Sequence, residues 1–307
     1  MTLLPDRYTL DNFTAGLRNP KLFQIELRRM LTYQLFTAAH GRGISVTEQD
    51  WDTLVILDAC RYDYFADRVE QSGIDGSLSS VISRGPESWI FMSENFVGNE
   101  LHDTVYVSAN PHANELPDGT FFRVEPLLDS WDPDAETILP DDVVSAAVDM
   151  HERHPDKRLI VHFMQPHIPY IGETAEQVRR DVDISRFRVG SRWWDAMEAG
   201  EISREQTHEA YVESLDIVLE HVASLLEQVD GKTVITADHG ELLGERLVPF
   251  GPPHYGHPPI HTAKLRTVPW FEPEFDDRRE VVAEDPMAVE RLDDEEVGDR
   301  LEALGYV

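Results

Sequence analysis

This sequence has almost no cysteine, no long apolar run and no leader-like start. Cys60 is the one cysteine among 307 residues, so no intrachain disulfide can form. No uninterrupted apolar run approaches the roughly 20 residues that a membrane-spanning helix needs. The first residues, MTLLPDRYTLDNF, lack a basic stretch followed by an apolar one, which excludes a typical secretory signal. These absences predict a cytoplasmic protein without a transmembrane segment.

Positive charge is also scarce. The chain has 27 basic residues, only four of them lysine, against 58 acidic residues, and its net charge is −31. Because a surface this acidic repels itself unless salt screens it, the composition predicts a halophile-type protein from a salt-rich cytoplasm. An acidic protein from an ordinary cell is the alternative. Such a surface also argues against nucleic acid as a partner.

Composition changes along the chain predict three parts. Residues 1–50 form an N-terminal helical extension, residues 51–271 form the core, and residues 272–307 form an acidic C-terminal arm. Within the extension, apolar residues at helical spacing from Leu22 to Ala39 predict a helix that packs on the core. The same helix, with Arg28 and Arg29, would also suit peripheral contact with a membrane, which is the alternative interpretation.

Strand and helix patterns alternate through the core. A continuous apolar run such as TLVIL is typical of a strand buried on both faces. Predicted strands cover Thr53–Leu57, Leu78–Ile82, Thr104–Val107, Arg158–Phe163 and Thr233–Thr236; predicted helices cover Pro140–Arg153, Ser203–Val229 and a stretch starting near Pro86, and a helical excursion covers Gly172–Gly200. This alternation predicts an α/β fold with a doubly wound, mostly parallel sheet and helices on both faces.

Acidic side chains follow two of the predicted strands directly. Asp58 comes after TLVIL, and Asp238 and His239 come after TVITA. Functional groups of parallel α/β sheets gather beyond the carboxyl ends of the strands, so these side chains are expected to meet. Two carboxylates and an imidazole suit a divalent metal ion, with Zn, Mn, Mg and Ca all open. Taken singly, Asp58 also fits a helix cap, and Asp238-His239 fits a loop turn.

Several segments resemble the alkaline phosphatase/sulfatase superfamily. DTLVILDACRYD, from Asp52 to Asp63, resembles that family's first strand and metal aspartate. VITADHGELLGE, from Val234 to Glu245, resembles its second metal motif, and HFMQPHIPY is similar to its mid-chain histidine segment. LRTVPW and the final LGYV also resemble sulfatase-like proteins. The resemblance spans residues 50–307 and implies an alkaline phosphatase-like core with a sulfatase-like metal site.

The resemblance also implies a nucleophile at the start of a helix downstream of Asp58. In SRGPESWIF, Ser88 is the candidate and Ser83 the alternative, while a plain capping serine is the competing interpretation. A helix start adds amide donors and a favourable dipole for a bound anion. The sequence lacks the Cys/Ser-x-Pro-x-Arg string from which formylglycine is made, and Cys60 stands in the wrong place. A serine-based transfer is therefore expected.

Further polar residues lie near the predicted site. His167 is expected to take part in catalysis and His257 in metal binding, because imidazoles can complete a metal site or donate to ester oxygens. Arg61 is expected to bind an anionic oxygen with its planar fork, with an ion pair to Asp63 as the alternative. His254, His261 and Lys264 are weaker candidates.

These features predict a metal-dependent, sulfatase-like hydrolase or transferase that acts on a phosphate or sulfate ester. Two alternatives remain: a sulfo- or phosphotransferase of surface-glycan biosynthesis, and a non-catalytic relative that binds metal or glycan. Because the chain carries a net charge of −31, an anionic ester is repelled at long range. Positive charge from the metal ion is therefore expected to be needed for binding as well as for chemistry.

Overall fold

A buried apolar strand organises the sheet at the centre of this protein. The computed structural model describes residues 20–184, 192–248, 250–287 and 294–304. Strand β1 (Thr53–Leu57) is buried along its whole length and pairs in parallel with β7 (Arg158–Phe163) and β8 (Thr233–Thr236). Apolar residues on both faces of β1 explain why its sequence is continuous rather than alternating.

Seven strands make up the main sheet, in the order β2-β11-β8-β1-β7-β3-β4. The outer strands are β2 (Gly76–Ile82), β3 (Leu101–Ser108), β4 (Phe121–Pro126) and β11 (Thr267–Pro273). Strand β11 runs antiparallel to both β8 and β2, and the neighbours from β8 to β4 pair in parallel. Two small ribbons pair β5 with β6 and β9 with β10. Their bounds are β5 Trp131–Asp132, β6 Thr137–Ile138, β9 Leu242–Arg246 and β10 Pro253–Gly256.

Helices cover both faces of this sheet. Their bounds are α1 Pro20–His40, α2 Tyr62–Val69, α3 Ser88–Asn95, α4 Pro140–Arg153, α5 Glu173–Asp181, α6 Arg192–Glu198, α7 Arg204–Leu226, α8 Ala263–Arg266 and α9 Asp294–Ala303. Helices α2, α4, α7 and α9 bury apolar side chains with Val55 and Leu57 on one face. Helix α3 packs with Leu54 and Ile56 on the other. The predicted doubly wound, mostly parallel α/β fold is confirmed.

Most predicted elements match the structure closely. Strands β1, β7 and β8 and helix α4 have the predicted bounds, and Ser203 caps α7 in a capping box with Gln206. The excursion after Gly172 contains α5 and α6, although residues 185–191 lie outside the described part, as do the last residues of LGYV. Strands β4 and β11 and the β9–β10 hairpin were not predicted. The division of the chain into three parts stays a prediction.

A buried carboxylate fastens the C-terminal segment to the amino end of β1. Asp52 accepts hydrogen bonds from the guanidinium of Arg278 at 2.7 and 2.9 Å and from the backbone N–H groups of Lys232 and Arg279 at 2.8 and 3.3 Å. Burial raises the pKa of Asp52, but these donors outweigh burial and hold it below its ordinary value of 3.8. The carboxylate is therefore ionised in the folded protein at neutral pH.

Asp52→Ala is expected to lower the free energy of unfolding by about 3 kcal/mol, because it leaves buried donors without an acceptor. The exposed neighbour Asp50, which also pairs with Arg278, is the matched control, and Asp50→Ala should change stability little. Denaturant unfolding measures both. Because the folded-state pKa of Asp52 is lowered, its contribution is complete above the unfolded value and is lost as the pH falls through the folded one. Equal stabilities of the two variants would contradict this role.

Candidate metal and nucleophile site

The carboxyl ends of β1 and β8 bring Asp58 and Asp238 together through an unusual turn. Ala59 has a positive φ of 58°, a conformation that non-glycine residues adopt at some cost. Its N–H donates to Asp238 Oδ1 at 3.1 Å, and its carbonyl accepts from Tyr211 Oη at 2.8 Å. Both hydrogen bonds offset the strain and fix the direction of the turn. Asp238 Oδ1 also accepts from the N–H of His239 at 2.7 Å, so its other oxygen points into the site.

Gly240 allows the backbone after His239 to lie close to the segment before β11. Its N–H donates to the carbonyl of Leu265 at 2.9 Å. A Cβ at this position would lie 2.2 Å from the carbonyl oxygen of Lys264, which no side chain could tolerate. The glycine of Asp-His-Gly is thus a packing requirement that keeps Asp238 and His239 at the strand end.

Four buried side chains converge at this edge of the sheet. Ligand atoms of Asp58, His162 and Asp238 lie within 4.8 Å of one another. His239 Nε2 lies 3.5 Å from Asp58 Oδ1 and 3.4 Å from Asp238 Oδ2. All four side chains are inaccessible to solvent. The structure therefore brings Asp58, Asp238 and His239 together, as the strand-end argument expects, and adds His162.

Two atoms of this cluster lack a hydrogen-bond partner among the described residues: His162 Nε2 and Asp238 Oδ2, which lie 3.8 Å apart. Burying such polar atoms unsatisfied is costly, so their convergence indicates a ligand. Burial lowers the pKa of His162 to about 4, which leaves a neutral imidazole with a free lone pair. Two carboxylates with two imidazoles fit a divalent transition-metal ion, and Zn²⁺ commonly takes this mixture of N and O ligands.

Tyr106 orients His162 from behind. Its hydroxyl lies 2.8 Å from His162 Nδ1, and it also accepts from Ser108 Oγ at 3.3 Å and donates to Met92 Sδ at 3.8 Å. Met92 Sδ is within reach of the tyrosine proton, so His162 Nδ1–H can donate to Tyr106 Oη. This tautomer presents the Nε2 lone pair to the carboxylates, as a metal ligand must.

Tyr106→Phe is expected to weaken metal binding by about tenfold, since loss of a group that orients a ligand typically costs ten- to a hundredfold in affinity. Titration calorimetry with Zn²⁺ and Mn²⁺ measures the change. The matched control is Tyr64→Phe, which removes a hydroxyl that contacts His208 at 2.7 Å away from the cluster. If both variants bind metal as tightly as the wild type, Tyr106 does not set the His162 tautomer.

Asn110 links the cluster to the segment after β3. Its Nδ2 donates to Asp58 Oδ2 at 2.7 Å, and its Oδ1 accepts from the N–H of His112 at 3.0 Å. His112 in turn lies 2.6 Å from Glu115 and is slightly exposed, so it stands between the cluster and the solvent. Neither Asn110 nor His112 was predicted from the sequence.

Ser88 is the first residue of α3 and reaches the cluster directly. Its Oγ donates to Asp58 Oδ2 at 3.2 Å and lies 3.2 Å from His239 Nε2. The helix start directs its backbone amides towards the same region, which favours an anion there. Ser83 is used differently: its hydroxyl donates to the backbone carbonyl of Asp238 and accepts from Gly85 N–H at 3.2 Å. The geometry therefore favours Ser88 over Ser83 as the nucleophile.

A second pair of histidines flanks His239. His167 Nε2 lies 3.0 Å from His257 Nε2, and the rings of His257 and His239 are 4.8 Å apart. His167 Nδ1–H donates to the carbonyl of Ile168, so His167 Nε2 is an acceptor and His257 Nε2–H is the donor. Burial lowers the pKa of His167 to about 3 and that of His257 well below its ordinary value. The two neutral rings therefore share one N–H between them, which His257 donates to His167 beside the cluster.

Arg61 does not direct its guanidinium at the cluster. Its three nitrogens donate to Asp63 at 2.7 and 2.9 Å, to Glu245 Oε1 at 2.5 Å and to the carbonyl of Glu241 at 3.3 Å. Because all three guanidinium nitrogens are engaged by these acceptors, Arg61 fits the alternative interpretation, an ion pair with Asp63. Arg61 holds α2 against the β9 segment, and its proposed contact with an anionic oxygen gains no support from this geometry.

The weaker candidates also lie elsewhere. Lys264 pairs with Asp63 at 2.5 Å, and His254 is partly exposed. His261 lies 3.1 Å from an Arg266 nitrogen, against α1. Cys60 is buried in the core, and burial raises the pKa of its thiol well above the ordinary value, so it is not a nucleophile.

His162 is the residue of the buried cluster that was not predicted from the sequence. A signal existed, because RLIVHF places one histidine in an otherwise apolar strand beside β1. Glu241 is a second omission: it is buried, and burial raises its pKa to about 8. Among the described residues, no helix combines the length and apolar character required of a membrane span.

No protein-family model matches this chain, and no curated protein matches it. Solved structures do. The C-terminal periplasmic domain of EcEptC from Escherichia coli, in complex with Zn, is 14% identical, with a TM-score of 0.49 over 76% of each chain. The soluble domain of lipooligosaccharide phosphoethanolamine transferase A from Neisseria meningitidis is also 14% identical, with a TM-score of 0.43 over 71% of this chain and 75% of that one.

A third similar structure is described as a protein of the alkaline phosphatase superfamily, from Vibrio parahaemolyticus. It is 10% identical, covers 86% of this chain and 69% of its own, and gives a TM-score of 0.42. The chain brings Asp58, Asp238 and His239 together at the carboxyl ends of β1 and β8, where the sequence resemblance expects a metal site.

Proposed function

We propose that this protein is a metal-dependent transferase or hydrolase of phosphate esters in which Ser88 is the nucleophile. One observation carries the proposal: Ser88 Oγ lies 3.2 Å from both Asp58 Oδ2 and His239 Nε2, inside a buried cluster that fits a divalent cation. A serine in this position is more than a helix cap, because its side chain contacts the cluster rather than the helix amides.

Asp58, His162, Asp238 and His239 would hold the ion. When bound, a divalent ion supplies positive charge that polarises the ester and lowers the pKa of a nearby hydroxyl. Burial raises the pKa of Asp238, but the neighbouring imidazoles of His239 and His162 and the N–H donated by Ala59 outweigh it, and the net shift is downward. Asp238 is therefore ionised and ready to act as a ligand at neutral pH.

The chain's own groups supply the remaining chemistry. Asp58 Oδ2 accepts the Ser88 hydroxyl and so directs an oxygen lone pair towards the ester. A bond forms between Ser88 Oγ and phosphorus as the bond to the leaving alcohol breaks. The proton that Ser88 gives to Asp58 Oδ2 passes from there to the leaving oxygen, which departs as the alcohol, while the neutral His257 and His167 stay hydrogen-bonded to each other beside it. Amides at the start of α3 stabilise the negative charge of the transferred group.

The acceptor of the group is water in a hydrolase and an alcohol in a transferase. Asp58, Ser88, Asp238 and His239 are all inaccessible to solvent, so either acceptor reaches them only after the site opens. A sugar hydroxyl of a surface-glycan precursor is one such acceptor, and a sulfate ester remains the alternative donor.

The proposal is tested by turnover assays in molar salt with Zn²⁺, Mn²⁺, Mg²⁺ or Ca²⁺. Substrates are p-nitrophenyl phosphate, bis-p-nitrophenyl phosphate and p-nitrophenyl sulfate, each with and without glycerol as an alcohol acceptor. We expect metal-dependent release of p-nitrophenol from a phosphate ester, with glycerol raising its rate and receiving the group. Release unaffected by glycerol would indicate a hydrolase. No turnover and no metal binding by calorimetry would leave a non-catalytic glycan-binding protein.

A further inference from the structure

Helix α1 exposes an apolar face. Ile25, Leu27, Leu31 and Leu35 are all exposed, and Leu35 keeps 72% of its surface accessible. We call Leu27, Leu31 and Leu35 the α1 apolar face. Leu27, Leu31 and Leu35 are four residues apart, so they follow one side of the helix. Single exposed apolar residues are ordinary, but a row along one helix indicates an interaction surface.

The opposite side of α1 is fixed to the core. Thr32 Oγ1 accepts from the N–H of His261 at 3.1 Å, and the Tyr33 ring lies 5.1 Å from the His261 ring. Phe36 is buried beneath the guanidinium of Arg266, 4.9 Å away. These contacts hold the helix in one rotation about its axis, so the α1 apolar face is presented outwards rather than left free to turn inwards.

A second apolar projection comes from the loop between β9 and β10. Val248 is exposed and Phe250 is exposed completely. His261, which follows the end of β10 by five residues, donates its N–H to Thr32 Oγ1 of α1 at 3.1 Å. The chain that leaves the hairpin therefore contacts α1, and β10 leads directly into His257 of the candidate site.

Charge is distributed unevenly between this region and the rest of the chain. Residues 20–43, which include α1, contain four basic residues and one acidic residue, whereas residues 44–307 contain 21 basic and 55 acidic ones. Arg28 is exposed on the same side of α1 as Leu31 and Leu35. The part of the protein that bears the apolar face is thus the part that an anionic surface would attract, while the remainder would be repelled from it.

We propose that the α1 apolar face and the β9–β10 loop dock on an anionic lipid bilayer. Apolar side chains flanked by arginine suit the boundary between headgroups and acyl chains. Repulsion of residues 44–307 from the anionic surface orients the protein with α1 towards the lipid. The docking goes beyond the ester chemistry and does not depend on it. It would place the hairpin that leads to His257 against the bilayer.

The test is cosedimentation of the full chain with vesicles of phosphatidylcholine alone or mixed with phosphatidylglycerol, at low and at molar salt. We expect binding to the mixed vesicles, and a drop of at least about tenfold in the partition constant for the double variant Leu31→Gln, Leu35→Gln. Phe250→Gln should lower binding further. Val97→Gln with Phe275→Gln, a matched loss of exposed apolar side chains elsewhere, should leave it unchanged.

Equal binding of the two double variants, or no vesicle binding by the wild type, would overturn the proposal. So would a concentration-dependent dimer that the Leu31→Gln, Leu35→Gln variant abolishes, because the face would then belong to a second copy. The substituted side chains are exposed, so unchanged thermal unfolding should accompany the loss of binding. Turnover of a soluble ester by the same variant should match the wild type, which separates docking from the proposed chemistry.

Discussion

Asp238→Ala is expected to weaken divalent metal binding by about 10³-fold, because each of four ligands carries a share of roughly 3 to 4 kcal/mol in a tightly held zinc site. Asp238 Oδ2 has no hydrogen-bond partner among the described residues and lies 3.4 Å from His239 Nε2 and 3.8 Å from His162 Nε2. It is therefore placed to bind an ion rather than to hold another protein group. Titration calorimetry in molar salt measures the affinity.

Unfolding must be separated from the loss of a ligand in this experiment. Without metal, Asp238→Ala removes one of two neighbouring buried carboxylates but leaves the N–H groups of Ala59 and His239 without their acceptor, so the variant is expected to be less stable and its metal affinity is measured below its melting temperature. Added Zn²⁺ should raise the melting temperature of the wild type and not that of the variant. The matched control, Asp216→Ala, breaks a half-exposed ion pair with Arg68 away from the site and should keep full metal affinity. Wild-type affinity in Asp238→Ala would remove this residue from the site.

Ser88→Ala is expected to lower turnover at least about 10³-fold while changing metal affinity only a few-fold, because it removes the attacking oxygen but none of the four proposed ligands. The matched control lies on the same helix: Ser93 Oγ donates to the carbonyl of Ile90 at 3.2 Å and does not reach the cluster. Ser93→Ala should retain wild-type turnover. Initial rates and calorimetry on the two variants separate catalysis from binding.

Ser83→Ala is expected to have an intermediate effect on metal affinity and turnover. The Ser83 hydroxyl holds the backbone carbonyl of Asp238, so its loss should loosen the site and lower both metal affinity and turnover modestly, by about tenfold. A large loss of turnover in Ser83→Ala, with Ser88→Ala still active, would reverse the assignment of the nucleophile. Full activity of Ser88→Ala with the best substrate would exclude the serine mechanism.

The central residues of the site could be predicted from the sequence because they directly follow the ends of buried strands. A buried parallel strand shows itself as a continuous apolar run, and its last residue locates the functional edge. Asp58 after TLVIL, and Asp238 with His239 after TVITA, needed no knowledge of the pairing. Ser88 could be identified because Gly85 and Pro86 end the preceding strand and a helix follows.

Other residues depend on register and distant contacts, which the sequence does not show. His162 faces the cluster because β7 pairs with β1 in the register that places it beside Ile56. Arg61 was expected to bind an anion, but it pairs with Glu245, 184 residues away. Strand β11 was missed because it contains a proline and inserts antiparallel between β8 and β2, an arrangement that alternating strands and helices do not predict.

The most direct test of the account is whether Ser88 carries the transferred group. The metal-loaded protein is mixed with a phosphate ester, quenched in acid within a single turnover, digested and analysed by mass spectrometry. We predict a phosphorylated peptide with the modification on Ser88, present in Ser93→Ala and absent in Ser88→Ala and in Asp238→Ala. Turnover without any modified serine, or a phosphoryl group on another residue, would contradict the proposed mechanism.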